Sequence, residues 1–191
     1  IFMKKIILAS SSPRRKELLA KLDIDFLAVP AECEEKIESG EDPLESAARL
    51  SGEKAGSLVS KYPGHIIIGA DTFAVLDKEI LGKPHTAKEA ERMLKLISGR
   101  VLLAITGFTI WDTGKDEVSS KTVSTEVYFK ELTSREIDEY IATGEPLDKA
   151  GAFAIQGKTE MFIKKINGSY SNVVGLPLYE LAEELKRFEV L

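Results

Sequence analysis

The run Ile66-Ile67-Ile68-Gly69-Ala70, closed by Asp71, most constrains what this chain can fold into. An uninterrupted apolar stretch of this length, opened by three β-branched residues, reads as a strand buried on both faces. Such a strand needs helices on either side of a sheet, which places the chain among layered α/β folds. Asp71 then stands at the exit of a buried strand, where open α/β sheets bind ligands. The position suits a metal ligand or a general base. A structural aspartate capping the turn at Thr72 is the plainer alternative.

The elements around that strand follow from period and punctuation. Lys4–Ala9 forms an apolar, β-branched first strand, and Met3 stands near the natural start. Ser12 is a good N-cap and Pro13 suits the first position of a helix whose apolar face is Leu18, Leu19 and Leu22. Asp25–Val29 reads as a second strand, followed by an acidic loop over Ala31–Asp42. Pro43 opens a longer helix with Leu44, Ala47, Ala48, Ser51, Ala55 and Leu58 at helical spacing. Phe73–Asp77 and Glu79–Leu81 read as a hairpin placed after the central strand. Thr86 with Glu89, and Thr133 with Glu136, have the spacing of capping boxes for helices ending near Ile97 and Gly144. Between those helices lie two long strands, Val101–Trp111 and Glu117–Phe129, joined through Asp112–Lys115. Phe153–Gln156 and Phe162–Ile166 add strand character, Asn167-Gly168 is a tight turn, and Leu176–Phe188 closes the chain as a helix. Strands and helices do not alternate cleanly, so the sheet is expected to be mixed rather than doubly wound.

At 191 residues, 43% hydrophobic and 30% charged, the chain has the make-up of one globular domain. The formal net charge of −5 opposes wrapping of a nucleic-acid backbone, so no nucleic-acid partner is expected and any phosphate site must be local. Cys33 is the single cysteine, which rules out an internal disulfide and favours a reducing, cytoplasmic setting. The apolar N-terminal run is too short for a membrane span, and no membrane partner is expected.

Ser10-Ser11-Ser12-Pro13-Arg14-Arg15 is a hydroxyl-rich loop entering a helix, which aims backbone N–H groups and a positive dipole end outward. Arginines in a first helical turn oppose the dipole at a cost of about 0.3–1 kcal/mol each, which a bound anion would offset. The alternative is an N-cap followed by two solvated arginines. Lys83, between Gly82 and Pro84, has a backbone biased to extended conformations that would aim its ammonium, or it is a surface lysine in a turn. Glu32, Glu34 and Glu35 form either a solvated charge run or part of a Mg²⁺ site opposite the basic loop. In Asp148-Lys149-Ala150-Gly151 and Gln156-Gly157 the glycines permit close ligand approach, and the Gln156 amide can read a base edge. His65 and His85 lack a second histidine at ligand spacing and read as structural or surface groups, as Trp111 reads as core.

Taken together and in this order, Ser10–Arg15, Gly69-Ala70-Asp71-Thr72, Gly82-Lys83-Pro84, Asp148–Gly151 and Gln156-Gly157 resemble the Maf family over nearly the whole chain. Lys54, within Glu53-Lys54-Ala55, and the run from Asn167 to Pro177 agree with it. The resemblance implies a single domain of two lobes around a cleft, with a mixed twisted sheet flanked by helices as in the inosine triphosphate pyrophosphatases. It also implies Mg²⁺- or Mn²⁺-dependent cleavage of a nucleoside triphosphate into monophosphate and pyrophosphate. Arg14, Thr72 and Gln156 are similar to the branch acting on dTTP and UTP. Leu102, shortly after Ser98-Gly99, stands where the family usually carries a histidine.

Carried onto this sequence, the resemblance gives Asp71, Lys83 and Glu35 as catalytic residues, with Asp71 and Glu35 as the metal ligands. Ser10, Ser12, Arg14, Arg15, Lys54, Thr72, Asp148, Lys149 and Gln156 become substrate contacts. Among these, Arg15, Lys54 and Lys149 are expected to support the leaving group. A homodimer is admitted as an assembly. The rival readings are a non-catalytic nucleotide-binding regulator of cell division or septum formation, and a pyrophosphatase for 7-methyl-GTP.

Overall fold

The computed structural model describes residues 5–38 and 40–191; Lys4, the expected start of the first strand, lies outside them. Its seven-stranded sheet contains β1 (Ile6–Ala9), β2 (Phe26–Val29), β3 (Ile66–Leu76), β4 (Glu79–Leu81), β5 (Val101–Asp112), β6 (Glu117–Phe129) and β7 (Ile163–Asn167). The strand order is β2-β1-β3-β5-β6-β7, with β4 paired to β3. β1 lies parallel to both β2 and β3, whereas β4 and β7 run antiparallel to their neighbours, so the sheet is mixed as expected. The helices are α1 (Pro13–Ala20), α2 (Pro43–Gly56), α3 (Ala87–Ile97), α4 (Ser134–Ile141), α5 (Tyr170–Val174) and α6 (Leu178–Arg187).

The chain divides into two compact units. The first holds the residues up to Thr72, Thr106–Val123 and Gly175–Leu191; the second holds Phe73–Ile105 and Ser124–Val174.

In the first unit, Ile66, Ile67 and Ile68 are fully buried, as a strand covered on both faces requires. Ile7, Ala9 and Ile67 pack with Ala55 and Leu58, and Trp111 adds to this core. Two glycines set how near α2 comes. A Cβ built on Gly69 would stand 2.2 Å from the Ser51 carbonyl oxygen, and one on Gly107 2.1 Å from that of Ala47. Only residues without a side chain let helix backbone and strand backbone meet at this separation. α6 buries Leu181 and Leu185, together with Glu184, whose carboxylate accepts a 2.9 Å hydrogen bond from Ser119 and pairs with Lys121 and Arg187.

In the second unit, α3 buries Ala90, Met93, Leu94 and Ile97 at helical spacing, and α4 buries Ile137 and Tyr140. They share one core with Val127, Phe129, Phe153 and Phe162. The rings of Phe129 and Phe153 meet edge to face at 5.2 Å, and those of Tyr140 and Phe162 at 5.7 Å.

Several local expectations change. The Thr133–Glu136 capping box forms in full, but at Thr86 only the hydroxyl's bond from the Glu89 N–H is made, because the Glu89 carboxylate turns to Arg92. Phe153–Gln156 is not a strand. Its neighbours Gly151 and Ala152 have positive φ, and the Ala154 N–H and carbonyl are both taken by the Thr159 hydroxyl rather than by an adjacent strand. The hairpin of Phe73–Asp77 with Glu79–Leu81 does form, Ala74, Val75 and Leu76 pairing with Leu81, Ile80 and Glu79, but its first arm is the continuation of the central strand. β3 runs unbroken for 11 residues, so Asp71 lies inside a strand and not at its exit.

Candidate functional site

That continuity decides where Asp71 meets the serine loop. The parallel register pairs Ala9, the last residue of β1, with Gly69. β1 stops there and becomes the Ser10 loop, while β3 continues through Ala70 to Asp71. The strand end next to Asp71 is therefore that of β1, and a carboxylate and a phosphate-type loop lie side by side at it.

The loop itself is built by its hydroxyls. The Ser10 Oγ accepts the Ser12 N–H at 3.2 Å, and the Ser12 Oγ caps α1 by accepting the Arg15 N–H at 3.4 Å. Arg14 and Arg15 follow on the first turn, both half-buried.

Asp71, 6% exposed, takes its charge partner from α2. The ammonium of Lys54, itself 5% exposed, donates to Asp71 and also lies 2.8 Å from Glu35. The close approach of α2 at Gly69 brings a lysine from the helix's last turn to a carboxylate inside the strand. Lys54 is thus held by protein carboxylates, a contact its assignment to substrate did not include.

Among the described carboxylates of the acidic loop, Glu35 is the one that pairs with Lys54. Glu32 pairs with Lys61, and Glu41 makes a bidentate pair with Arg49 at 2.8 and 2.7 Å. The Arg49 hydrogen bond holds the Glu41 carboxyl down at about 2. The loop is pinned by bases on and just after α2, and is not a plain solvated charge run. Cys33 lies among these charges, but burial pushes its thiol up, so it remains a thiol.

Arg15 and Thr72 close a second set of contacts in the same unit. The Arg15 Nε donates to the Gly175 carbonyl at 2.9 Å and its Nη2 donates to the Thr72 Oγ1 at 3.0 Å. Thr72 also lies 3.0 Å from the Thr106 Oγ1 and 3.3 Å from the Gly175 carbonyl. Burial lowers the Arg15 pKa, with Asp71 and Glu35 pulling the other way, and the guanidinium stays charged. Thr106 and Gly175 belong to this site and were not picked out from the sequence. Gly175 carries φ +129, a conformation that L side chains rarely adopt, and its place in the Asn167–Pro177 run was the signal in the sequence that could have found it.

The second unit carries the remaining predicted residues. The Gly151 N–H donates to the Gly82 carbonyl at 3.0 Å and the His85 N–H to the Leu147 carbonyl at 3.1 Å, which ties the Lys83 turn to the Asp148–Gly151 turn. Lys83 is exposed, and Lys149 pairs with Asp148. Gln156 stands exposed on a neighbouring loop, which Thr159 clamps from one side and Glu145 from the other. A Cβ on Gly157 would lie 2.1 Å from the Glu145 Oε1, so the Glu145 carboxylate packs directly on that glycine. Leu102 is fully buried in the apolar core of this unit, near Gly151, and offers no group to a ligand.

The family model described as "Maf-like protein" matches residues 5–188. The chain belongs to the Maf family. Among its Maf relatives, the dTTP/UTP pyrophosphatase of Geotalea uraniireducens (strain Rf4) is 50% identical over 182 residues, covering 95% of this chain and 94% of that protein. The dTTP/UTP pyrophosphatase of Methanosarcina barkeri (strain Fusaro / DSM 804) is 46% identical over 186 residues, covering 97% and 94%. Among solved structures, that of a HAM1 protein from Coxiella burnetii aligns with a TM-score of 0.50 at 19% identity, covering 97% of this chain and 100% of that one. At this identity the likeness speaks for the fold, and it agrees with the mixed α/β architecture of this Maf chain. Among the described residues, no helix is long and apolar enough to cross a membrane.

Proposed function

We propose that this chain hydrolyses dTTP and UTP to the monophosphate and pyrophosphate. The observation that carries the reading is the meeting, at the end of β1, of the Ser10–Arg15 loop with Asp71, in a chain 50% identical to a dTTP/UTP pyrophosphatase. The loop supplies N–H groups and cationic side chains for a polyphosphate, and Asp71 supplies a carboxylate beside it.

Among the described residues, no group of three or more His, Cys, Asp or Glu could hold a metal ion. The Lys54 ammonium nevertheless marks a point that both Asp71 and Glu35 reach. Two carboxylates fit a hard cation such as Mg²⁺ or Mn²⁺, which takes its other ligands from water and substrate phosphates. Asp71 and Glu35 are the residues that would hold it, and such an ion supplies charge neutralisation at the phosphates and a more acidic water. Asp71 accepts a proton from the water that attacks the α-phosphorus. The new bond is from that water's oxygen to phosphorus, the bond from the α-phosphorus to the bridging oxygen breaks, and pyrophosphate leaves with the electron pair. Arg14 neutralises phosphate oxygens. Lys83, Lys149 and Gln156 keep the roles implied by the family resemblance, phosphate contact for the lysines and base recognition for the amide.

The test is pyrophosphate release from dTTP, UTP and CTP with Mg²⁺ or Mn²⁺. Asp71→Asn should cut turnover by about 10²–10⁴-fold. Unchanged turnover in a folded Asp71→Asn variant removes that residue from the reaction, and nucleotide binding without turnover in the wild type favours a regulator.

A further inference from the structure

We infer that Arg49 is a positioning residue: by tying the acidic loop to α2, it keeps Glu35 where that carboxylate and Asp71 reach one cation. The inference rests on the pyrophosphatase reading and deepens it, by giving Arg49 a part in the affinity for Mg²⁺ or Mn²⁺.

The two carboxylates are held very differently. Asp71 lies inside β3 and is 6% exposed, so the sheet fixes it. Glu35 stands in residues 31–42, where no described residue is in a helix or strand, and its side chain is 60% exposed. Its contact with Lys54 is screened by water, and exposed pairs of this kind hold little. A loop of this length needs a stronger tie to keep one side chain in place.

Arg49 supplies that tie with one planar group. Its Nε and Nη2 donate to the two Glu41 carboxylate oxygens at 2.8 and 2.7 Å, and the same Nη2 donates to the Lys36 carbonyl at 3.0 Å. A bidentate pair is the strong form of such a contact, and the Glu41 side chain is far more sheltered than that of Glu35, at 15% exposed. The Arg49 Nη1 donates to Glu53, one turn further along α2, at 2.9 Å, which steadies the guanidinium from the helix itself. Lys36 follows Glu35 directly, and consecutive Cα atoms are only about 3.8 Å apart. On the other side of Glu35, the Glu32 N–H donates at 3.0 Å to the Oγ of Ser57, the C-cap of α2. Glu35 is thus strung between two anchors on α2, and Arg49 makes the nearer one.

The test titrates Mn²⁺ alone into the protein and counts the free ion by its electron paramagnetic resonance signal, beside thermal melts and pyrophosphate release from UTP. Arg49→Met keeps the stem and removes the fork. Loss of a cation would by itself favour a bound cation, so weaker binding in this variant reports a displaced Glu35 and not a changed field. The Mn²⁺ dissociation constant should rise about tenfold or more, the usual cost of removing support behind a metal ligand. Half-maximal turnover should need more Mn²⁺ by a similar factor. Glu41→Gln and Glu53→Gln each remove one negative charge near Arg49, but only Glu41 belongs to the loop. Glu41→Gln should therefore weaken Mn²⁺ binding at least about threefold more than Glu53→Gln does. A folded Arg49→Met with a dissociation constant within about twofold of the wild type, or equal effects of the two glutamate variants, overturns the inference and leaves the pyrophosphatase reading standing. If Arg49→Met does not fold, the comparison of Glu41→Gln with Glu53→Gln decides. A wild type that binds no Mn²⁺, or whose binding is unchanged by both Glu35→Gln and Asp71→Asn, overturns the metal assignment and the inference with it, while pyrophosphate release from UTP tests the activity separately.

Discussion

Lys54→Met tests the arrangement at Asp71 most directly. Methionine keeps the unbranched stem that lies along α2 and removes only the ammonium. That ammonium is the charge partner of Asp71, whose side chain is 8% exposed beside a lysine side chain that is 6% exposed. Its contact with Glu35 counts for little, because the Glu35 side chain is 60% exposed and water screens it. Breaking a buried pair by removing one partner leaves an uncompensated buried charge and costs about 3–5 kcal/mol. At about 2–4 °C per kcal/mol for a chain of this size, the melting temperature should fall by about 6–20 °C. Differential scanning calorimetry at pH 7 measures it. Lys54→Met with Asp71→Leu removes both charges and should recover most of the fall, because the cost lies in the unpaired carboxylate and not in the lost attraction. A single variant melting within about 2 °C of the wild type, or a double variant lower than the single, refutes this account.

Further outcomes follow from other contacts. Gly69→Ala drives a Cβ to 2.2 Å from the Ser51 carbonyl oxygen and 2.7 Å from the Ala55 nitrogen, and both are backbone atoms that cannot rotate aside. It should lower stability by about 1–3 kcal/mol or more, read from the midpoint of urea unfolding. Burial pushes the Glu184 carboxyl up, but hydrogen bonds from Lys121 and Ser119 outweigh it and hold the group below its ordinary value. Its stabilising contribution is therefore present above the unfolded carboxylate value of about 4.3 and is lost as the pH falls through the lower folded value. Glu184→Gln should be less stable at pH 7 and should lose less on acidification, and melts from pH 7 down to pH 3 that fall in parallel would show the reasoning wrong. Gln156→Glu replaces an amide that can donate and accept by a group that only accepts, and should lower kcat/KM for UTP by about tenfold or more relative to CTP. An unchanged ratio in the nucleotide panel would take Gln156 out of base recognition.

Local signals carried the sequence reading furthest where one turn of chain contains all the partners. The Ser12 cap and the Thr133–Glu136 box are of this kind, each decided by groups three residues apart. The buried strand at Ile66 was equally legible, because an apolar run admits few other readings. Asp71 and Thr72 misled the reading of β3, since two polar residues after Ala70 looked like a strand end. Their burial is compensated by Lys54 from α2, by Arg15 from α1 and by Thr106 from β5, and no spacing in the sequence reveals such long-range partners. The acidic loop misled for the same reason, because Lys61, Arg49 and Lys54 neutralise it from elsewhere in the chain. Phe153-Ala154-Ile155 has strand composition, but a threonine hydroxyl satisfies the Ala154 backbone groups that a strand would have offered to a neighbour.

The discontinuous make-up of the first unit bears on how a ribosome can deliver it. Its first strand is translated before any of the second unit, yet Glu184, the acceptor for Ser119 and Lys121, is translated after all of it. The second unit, by contrast, has all of its residues by Val174. A nascent chain thus holds one unit whole while the other still lacks α6, so the unit bearing Asp71 is completed after the unit that interrupts it.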